Sequence, residues 1–169
     1  MIDPLQSVST RMIAGVAFIF FAPVVVTFAI APGEWWADYP GIFFHLAMFL
    51  LVARLDAPDW AKAAGFGWLV LDVMTGVLTL NHVPHAIADF VRLGGHIFGG
   101  IWMATASLSG SRPVKITGVL TGLWLSGYSF ASPFLPMEFI GPTAILFLVW
   151  LAIITWQDGG TSRLQSPAA

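Results

Sequence analysis

His85, Asp89, Arg92 and His96 are spaced four, three and four residues apart. At about 100° per residue an α-helix gathers such positions within a sector of roughly 60°. One face then carries two imidazoles, a carboxylate and a guanidinium, groups able to hold a charged solute, relay protons or ligate a metal. Gly99, Met103 and Ser107 continue that face, and Phe90, Val91, Leu93, Ile97, Phe98 and Ile101 fill the rest of the circumference. An ionisable side chain at the centre of a membrane helix costs about 2.5 to 3.5 kcal/mol on insertion scales. The stripe is therefore expected to line an interior pocket, with the apolar positions toward lipid or neighbouring helices.

The preceding apolar stretch supplies a second polar face. Asp72, Thr75, Gly76 and Thr79 fall on one side of a helix, and Gly65 and Trp68 extend that side. The connection from Asn81 to Pro84 is short enough to make the two stretches a hairpin. Counting back from its turn puts Asp72 at about the depth of His96 and within reach of Arg92 or His96. Asp72 and Asp89 offer two negative charges, and Arg92 offers one permanent positive charge. The carboxylate in excess must be protonated, paired with a His45 or His96 imidazolium, or neutralised by a bound cation. A purely structural alternative pairs Asp89 with Arg92 at i,i+3 and leaves Asp72 as a protonated donor.

His45 is placed about one turn into its own helix, near the depth of Asp89. With His85 and Asp89 it would make a three-ligand metal site, with His82 as a fourth ligand and His96 as a further histidine nearby. A b-type haem is the other cofactor the histidines allow. His96 lies about 16 Å along the helix from His85, an awkward offset from His45 for a shared iron. Glu138 falls at the outer mouth with His82, where it would draw cations or protons inward. The sequence contains no HExxH or HxxEH metal motif, no GxSxG elbow, no phosphate-binding loop and no dinucleotide fingerprint. With no cysteine, thiolate metal sites, iron–sulfur clusters, disulfides and cysteine nucleophiles are excluded.

Composition identifies the elements that must hold these groups. Of 169 residues 57% are hydrophobic and 9% charged, against about 25% charged in a soluble domain, and mean hydropathy is +0.83. A net charge of -2 with dispersed Lys and Arg gives no footprint for nucleic acid. Apolar runs near 12–31, 40–55, 62–80, 85–107, 115–132 and 137–156 predict an all-α, polytopic bundle of six transmembrane helices with short loops. Ala29-Ile30-Ala31 looks like a signal-peptide cleavage site, but the apolar run before it is too long for an h-region, so it reads as an uncleaved first span.

Arg11, Arg54, Lys62, Arg112, Lys115 and Arg163 fall on one side of such a bundle, whereas the opposite loops carry Glu34, Asp38 and Glu138 without Lys or Arg. The positive-inside rule then makes both termini cytoplasmic. Arg92 alone departs from the pattern. Gly95–Gly99 and Gly118–Gly122 are small-xxx-small steps expected to seat the fourth span on the fifth. Pro23 and Pro142 are expected to bend the first and sixth spans.

The domain organisation expected is a cytoplasmic N-terminal segment (1–11), one transmembrane domain (12–156) and a flexible cytoplasmic tail (157–169). The leading functional expectation is an outward-facing polar pocket between the second, third and fourth spans that binds or translocates a small solute or ion. Proton coupling would run through Asp72, Asp89 and His96, with Arg92 as counter-ion and Thr75 and Thr79 beside them. A second reading is a metal- or haem-dependent enzyme or redox subunit using His45, His85, His96 and Asp89. A third is a non-catalytic subunit or assembly factor of a membrane complex. The lipid bilayer is the expected partner, homo-oligomerisation would enlarge a small cavity, and a bacterial inner membrane is the default location.

Overall fold

The prolines mark where helices begin. In the computed structural model, which describes residues 8–157, Pro58 and Pro84 immediately precede helices, and Pro113 and Pro142 occupy first turns. Lacking an N–H and holding φ near the helical value, proline is suited to these positions. Ser9 caps the first helix instead, its hydroxyl accepting from the Met12 amide at 3.1 Å.

The helices are α1 (Thr10–Ile30), α2 (Asp38–Arg54), α3 (Asp59–Leu80), α4 (His85–Ser107), α5 (Arg112–Ala131) and α6 (Gly141–Trp156). Short 3₁₀ turns at Trp35–Ala37 and Met137–Ile140 lead into α2 and α6. Of the described residues 84% are helical, with no strand among them. Among the described residues four stretches are long and apolar enough to cross a membrane: Thr10–Ile30, Trp35–Arg54, Asp59–Leu80 and Met137–Trp156. α4 and α5 fall outside that set. α4 carries the ionisable stripe, and α5 opens on Arg112 and Lys115 and is rich in Gly, Ser and Thr.

Each helix packs on its chain neighbours, and α1 closes on α6, so the six form a ring. The ring's exterior is apolar, with Ile19, Phe90 and Phe130 all strongly exposed. At the end holding the α2–α3 and α4–α5 connections its interior is filled. Trp68 stacks on Trp102 at 5.9 Å between centroids, and Trp102 meets Trp150 edge-on at 6.0 Å. Met48, Leu51, Leu69, Met103 and Leu151 are fully buried around them, and Trp150 Nε1 donates to Ser107 Oγ at 3.0 Å.

Two packing expectations are corrected. Gly95 and Gly99 face α3, where a Cβ on Gly99 would lie 2.8 Å from the Trp68 indole. Gly118 and Gly122 do face α4, at Ser107 and at Gly100 and Ala104, and the α4 glycine they meet is Gly100, against Gly122 and Ser126. Pro142 bends nothing, because it sits in the first turn of α6. Pro23 is inside α1, and the helix runs unbroken past it with the Thr27 hydroxyl donating to the Pro23 carbonyl at 2.8 Å. Arg163 and the tail beyond Gln157 lie outside the described residues, as do the first seven residues of the N-terminal segment.

Candidate functional site

The ring is hollow at the end opposite the tryptophan plug. A cavity of about 530 Å³ opens among the C-terminal halves of α1 and α3, the N-terminal halves of α2, α4 and α6, and the two 3₁₀ turns. That volume is typical of small-molecule sites. One wall, from α1 and α6 with part of α2, is apolar, including Phe21, Phe28, Phe44 and Phe147. The facing wall, from α2, α3 and α4, carries His45, Asp72, His85, Asp89, Arg92 and His96.

Asp72 is the centre of the polar wall. Only 4% exposed, its Oδ2 lies 3.1 Å from His45 Nε2 and 3.8 Å from His96 Nε2. Trp68 Nε1, one helical turn earlier, donates to the same oxygen. His45 Nδ1 lies 2.7 Å from the Gly41 carbonyl oxygen. A carbonyl only accepts, so Nδ1 must carry hydrogen. Nε2 of a neutral ring would then turn a lone pair toward Asp72, and the short contact requires a proton between them. The proton sits on His45 as imidazolium or on Asp72 as carboxylic acid, and in either form the pair carries no net charge. His96 at 3.8 Å is beyond hydrogen-bonding distance. Its Nδ1 and Asp72 Oδ1 are buried without hydrogen-bond partners among the described residues.

Arg92, nearer the mouth, is held from another element. Its guanidinium donates to Asp38 Oδ1 at 3.1 Å, and Asp38 opens α2 directly after the Trp35–Ala37 turn. Asp38 was not singled out among the candidate groups by its sequence. It is one of several loop acids, 54 residues from Arg92, and its only signal was a carboxylate in a connection without basic residues. Asp89 lines the cavity without an ion pair among the described residues, so the i,i+3 pairing with Arg92 does not form.

The chain matches no family model, no curated protein and no solved structure.

Of the other sequence candidates, His85 and Thr79 line the cavity, with the Thr79 hydroxyl bonded to the Thr75 carbonyl at 3.1 Å. Thr75 is fully buried behind it and bonds to the Leu71 carbonyl. His82 forms the α3–α4 turn with φ of 59°. Glu138 is exposed on the second 3₁₀ turn, and neither it nor His82 lines the cavity; Glu34 does.

The proposed metal constellation is not assembled. Among the described residues no three His, Asp or Glu side chains converge so as to hold a metal ion. His45 turns to Asp72 because α2 begins at Asp38, seven residues earlier, which carries the ring about two turns down. His85 and Asp89 stay near the start of α4. The same placement brings His45 and His96 toward a single carboxylate oxygen, Asp72 Oδ2, at 3.1 and 3.8 Å.

Trp68, which helical spacing put on the Asp72 side of its helix, touches the central carboxylate. Thr143, in the first turn of α6 on the otherwise apolar wall, escaped the sequence reading. The pocket is also wider than the α2–α4 surface expected, since α1, α6 and Leu125 of α5 complete its wall.

Proposed function

We propose that this chain is a six-span membrane protein that binds a small solute in the cavity of its helix ring. The cavity opens to the outer side, and both termini are cytoplasmic. α4 and α5 are less apolar than the other four, yet they complete the ring between α3 and α6 and must share its depth. The charge asymmetry of the connections orients the ring, with Arg54, Lys62, Arg112 and Lys115 at the plugged end and Glu34, Asp38 and Glu138 at the open end.

The observation that carries the proposal is the two-sided wall, apolar on α1 and α6 and ionisable on α2 to α4, around a volume fit for a small molecule. The proton shared by His45 and Asp72 lies at the base of that wall. Solute that approaches Asp72 competes with His45 for the carboxylate, which couples binding to proton position. Carriage across the membrane would further require the Trp68, Trp102 and Trp150 plug to part.

Native mass spectrometry of protein released from nanodiscs, exposed to a panel of small amines, carboxylates, alcohols and sugars, tests the proposal. Wild type is expected to retain one chemical class as a stoichiometric adduct, and Ala144→Trp, which fills the cavity, to lose it. Retention of no class, or adducts indifferent to Ala144→Trp, would overturn it.

A further inference from the structure

The charges of the cavity do not balance. Glu34, Asp38, Asp72 and Asp89 line it, and among the described residues the only Lys or Arg in the lining is Arg92. Arg92 is engaged by Asp38, and the proton shared with His45 neutralises Asp72. Glu34 and Asp89 are left without an ion pair among the described residues, both near the mouth. The opposite wall offers the aromatic rings of Phe21, Phe28, Phe44 and Phe147, with Trp68 below. Carboxylates facing aromatic rings favour an ammonium group carried on an apolar body. Among the described residues no three acidic or histidine side chains converge as a bare metal ion would require.

An independent feature sits on the apolar wall. Thr27, Thr75, Thr79, Thr105, Thr117, Thr121 and Thr155 all donate their hydroxyls to the carbonyl four residues back. Such back-bonding is the ordinary fate of a helical threonine. Thr143 departs from it. The carbonyl four residues back, Phe139, accepts Trp124 Nε1 at 2.8 Å, and the Thr143 hydroxyl is buried with no partner among the described residues. Thr143 is 2% exposed and lines the cavity. A buried hydroxyl without a partner is costly unless something else satisfies it.

We infer that the cavity takes an amphipathic organic cation, a primary or substituted amine on an aromatic or aliphatic body, with Asp89 as its counter-ion and the Thr143 hydroxyl bonding a polar group on that body. This deepens, and rests on, the solute-binding reading. Asp72 and His45 form the floor beneath the ligand, and Arg92, held to Asp38, repels cations from the mouth less than Glu34 and Asp89 together attract them.

Equilibrium dialysis against nanodiscs at pH 7, with empty nanodiscs as the blank, compares phenethylamine, 3-phenylpropionate and 3-phenylpropanol, which share a body and differ in charge. Phenethylamine is expected to bind at least tenfold more tightly than the other two. Asp89→Asn should weaken it about tenfold and Glu34→Gln in the same direction, and Gly94→Ala, which meets nothing within 4 Å, should leave it unchanged. Tyramine, which adds a hydroxyl, should bind more tightly than phenethylamine and lose that margin in Thr143→Val. Equal or tighter binding of the propionate or the propanol, abolished by Ala144→Trp, would overturn the cation and leave a solute cavity standing. Retention of no probe would overturn the cation as well, and binding indifferent to Ala144→Trp would overturn the cavity itself. A tyramine margin that survives Thr143→Val would remove Thr143 from the site.

Discussion

His45 Nε2 lies 3.1 Å from Asp72 Oδ2 while its other ring nitrogen is committed to the Gly41 carbonyl at 2.7 Å. The backbone of α2 thereby fixes the tautomer, and a proton has to lie between imidazole and carboxylate. A histidine bound to its own helix is thus a positioned proton site at the floor of a cavity.

Asp72→Asn removes the group that makes this necessary. Trp68 donates to the same oxygen, so its indole should report the proton. Wild-type tryptophan emission is expected to shift with pH, and the Asp72→Asn variant to lose the part of the shift that Trp68→Phe also loses. Replacing one member of a buried pair should lower stability by about 1 to 3 kcal/mol, read as a fall in thermal unfolding temperature.

The mouth pair is testable by a double-mutant cycle. Arg92→Gln and Asp38→Asn should be coupled by about 1 kcal/mol, in the range of partly exposed ion pairs. The cycle of Arg92→Gln with Asp89→Asn should give a coupling near zero, although those residues are one turn apart on the same helix.

Three glycines of α4 and α5 should behave in opposite ways. A Cβ on Gly100 would collide with Ser126 and the Gly122 backbone, and one on Gly122 would lie 2.7 Å from the Ala104 amide. Gly100→Ala and Gly122→Ala are expected to cost about 1 to 3 kcal/mol through overpacking. Gly94→Ala meets no neighbour within 4 Å and should stabilise by about 0.5 to 1 kcal/mol, because alanine is the better helix former. Thermal unfolding of the three variants side by side checks the order.

Thr143→Val should raise the stability of the ligand-free protein by up to about 1 kcal/mol, since it replaces an unpartnered buried hydroxyl by a methyl of similar size. A threonine that served only packing would give no gain. Unfolding temperature without added solute is the measurement.

Much of this arrangement was legible in the sequence because it follows from helical repeats and short connections. The hairpin count from the Asn81–Pro84 turn put Asp72 at the level of His96, and the two lie 3.8 Å apart. The stripe from His85 to His96 lies on one cavity wall. What escaped depended on contacts between distant segments. Asp38 reaches Arg92 because a 3₁₀ turn swings the start of α2 over the mouth, and nothing in the local pattern distinguishes Asp38 from Glu34. α1 and α6 are apolar on every side, so no periodicity identified their cavity-facing residues or their closure of the ring. α4 has glycines on two faces, and spacing alone could not assign Gly95 and Gly99 to α3 and Gly100 to α5.

The cysteine-free chain allows the most direct test of a cavity open on one side only. Ala144→Cys, in the cavity wall, and Ala106→Cys, in the plugged half, are each exposed to a membrane-impermeant maleimide added separately to the two faces of an oriented membrane. Ala144→Cys should label from the outer face, be protected by Asp89-dependent ligands, and stay unlabelled from the cytoplasmic face, with Ala106→Cys unlabelled from both. Labelling of Ala144→Cys from the cytoplasmic face, or from neither, would contradict the account.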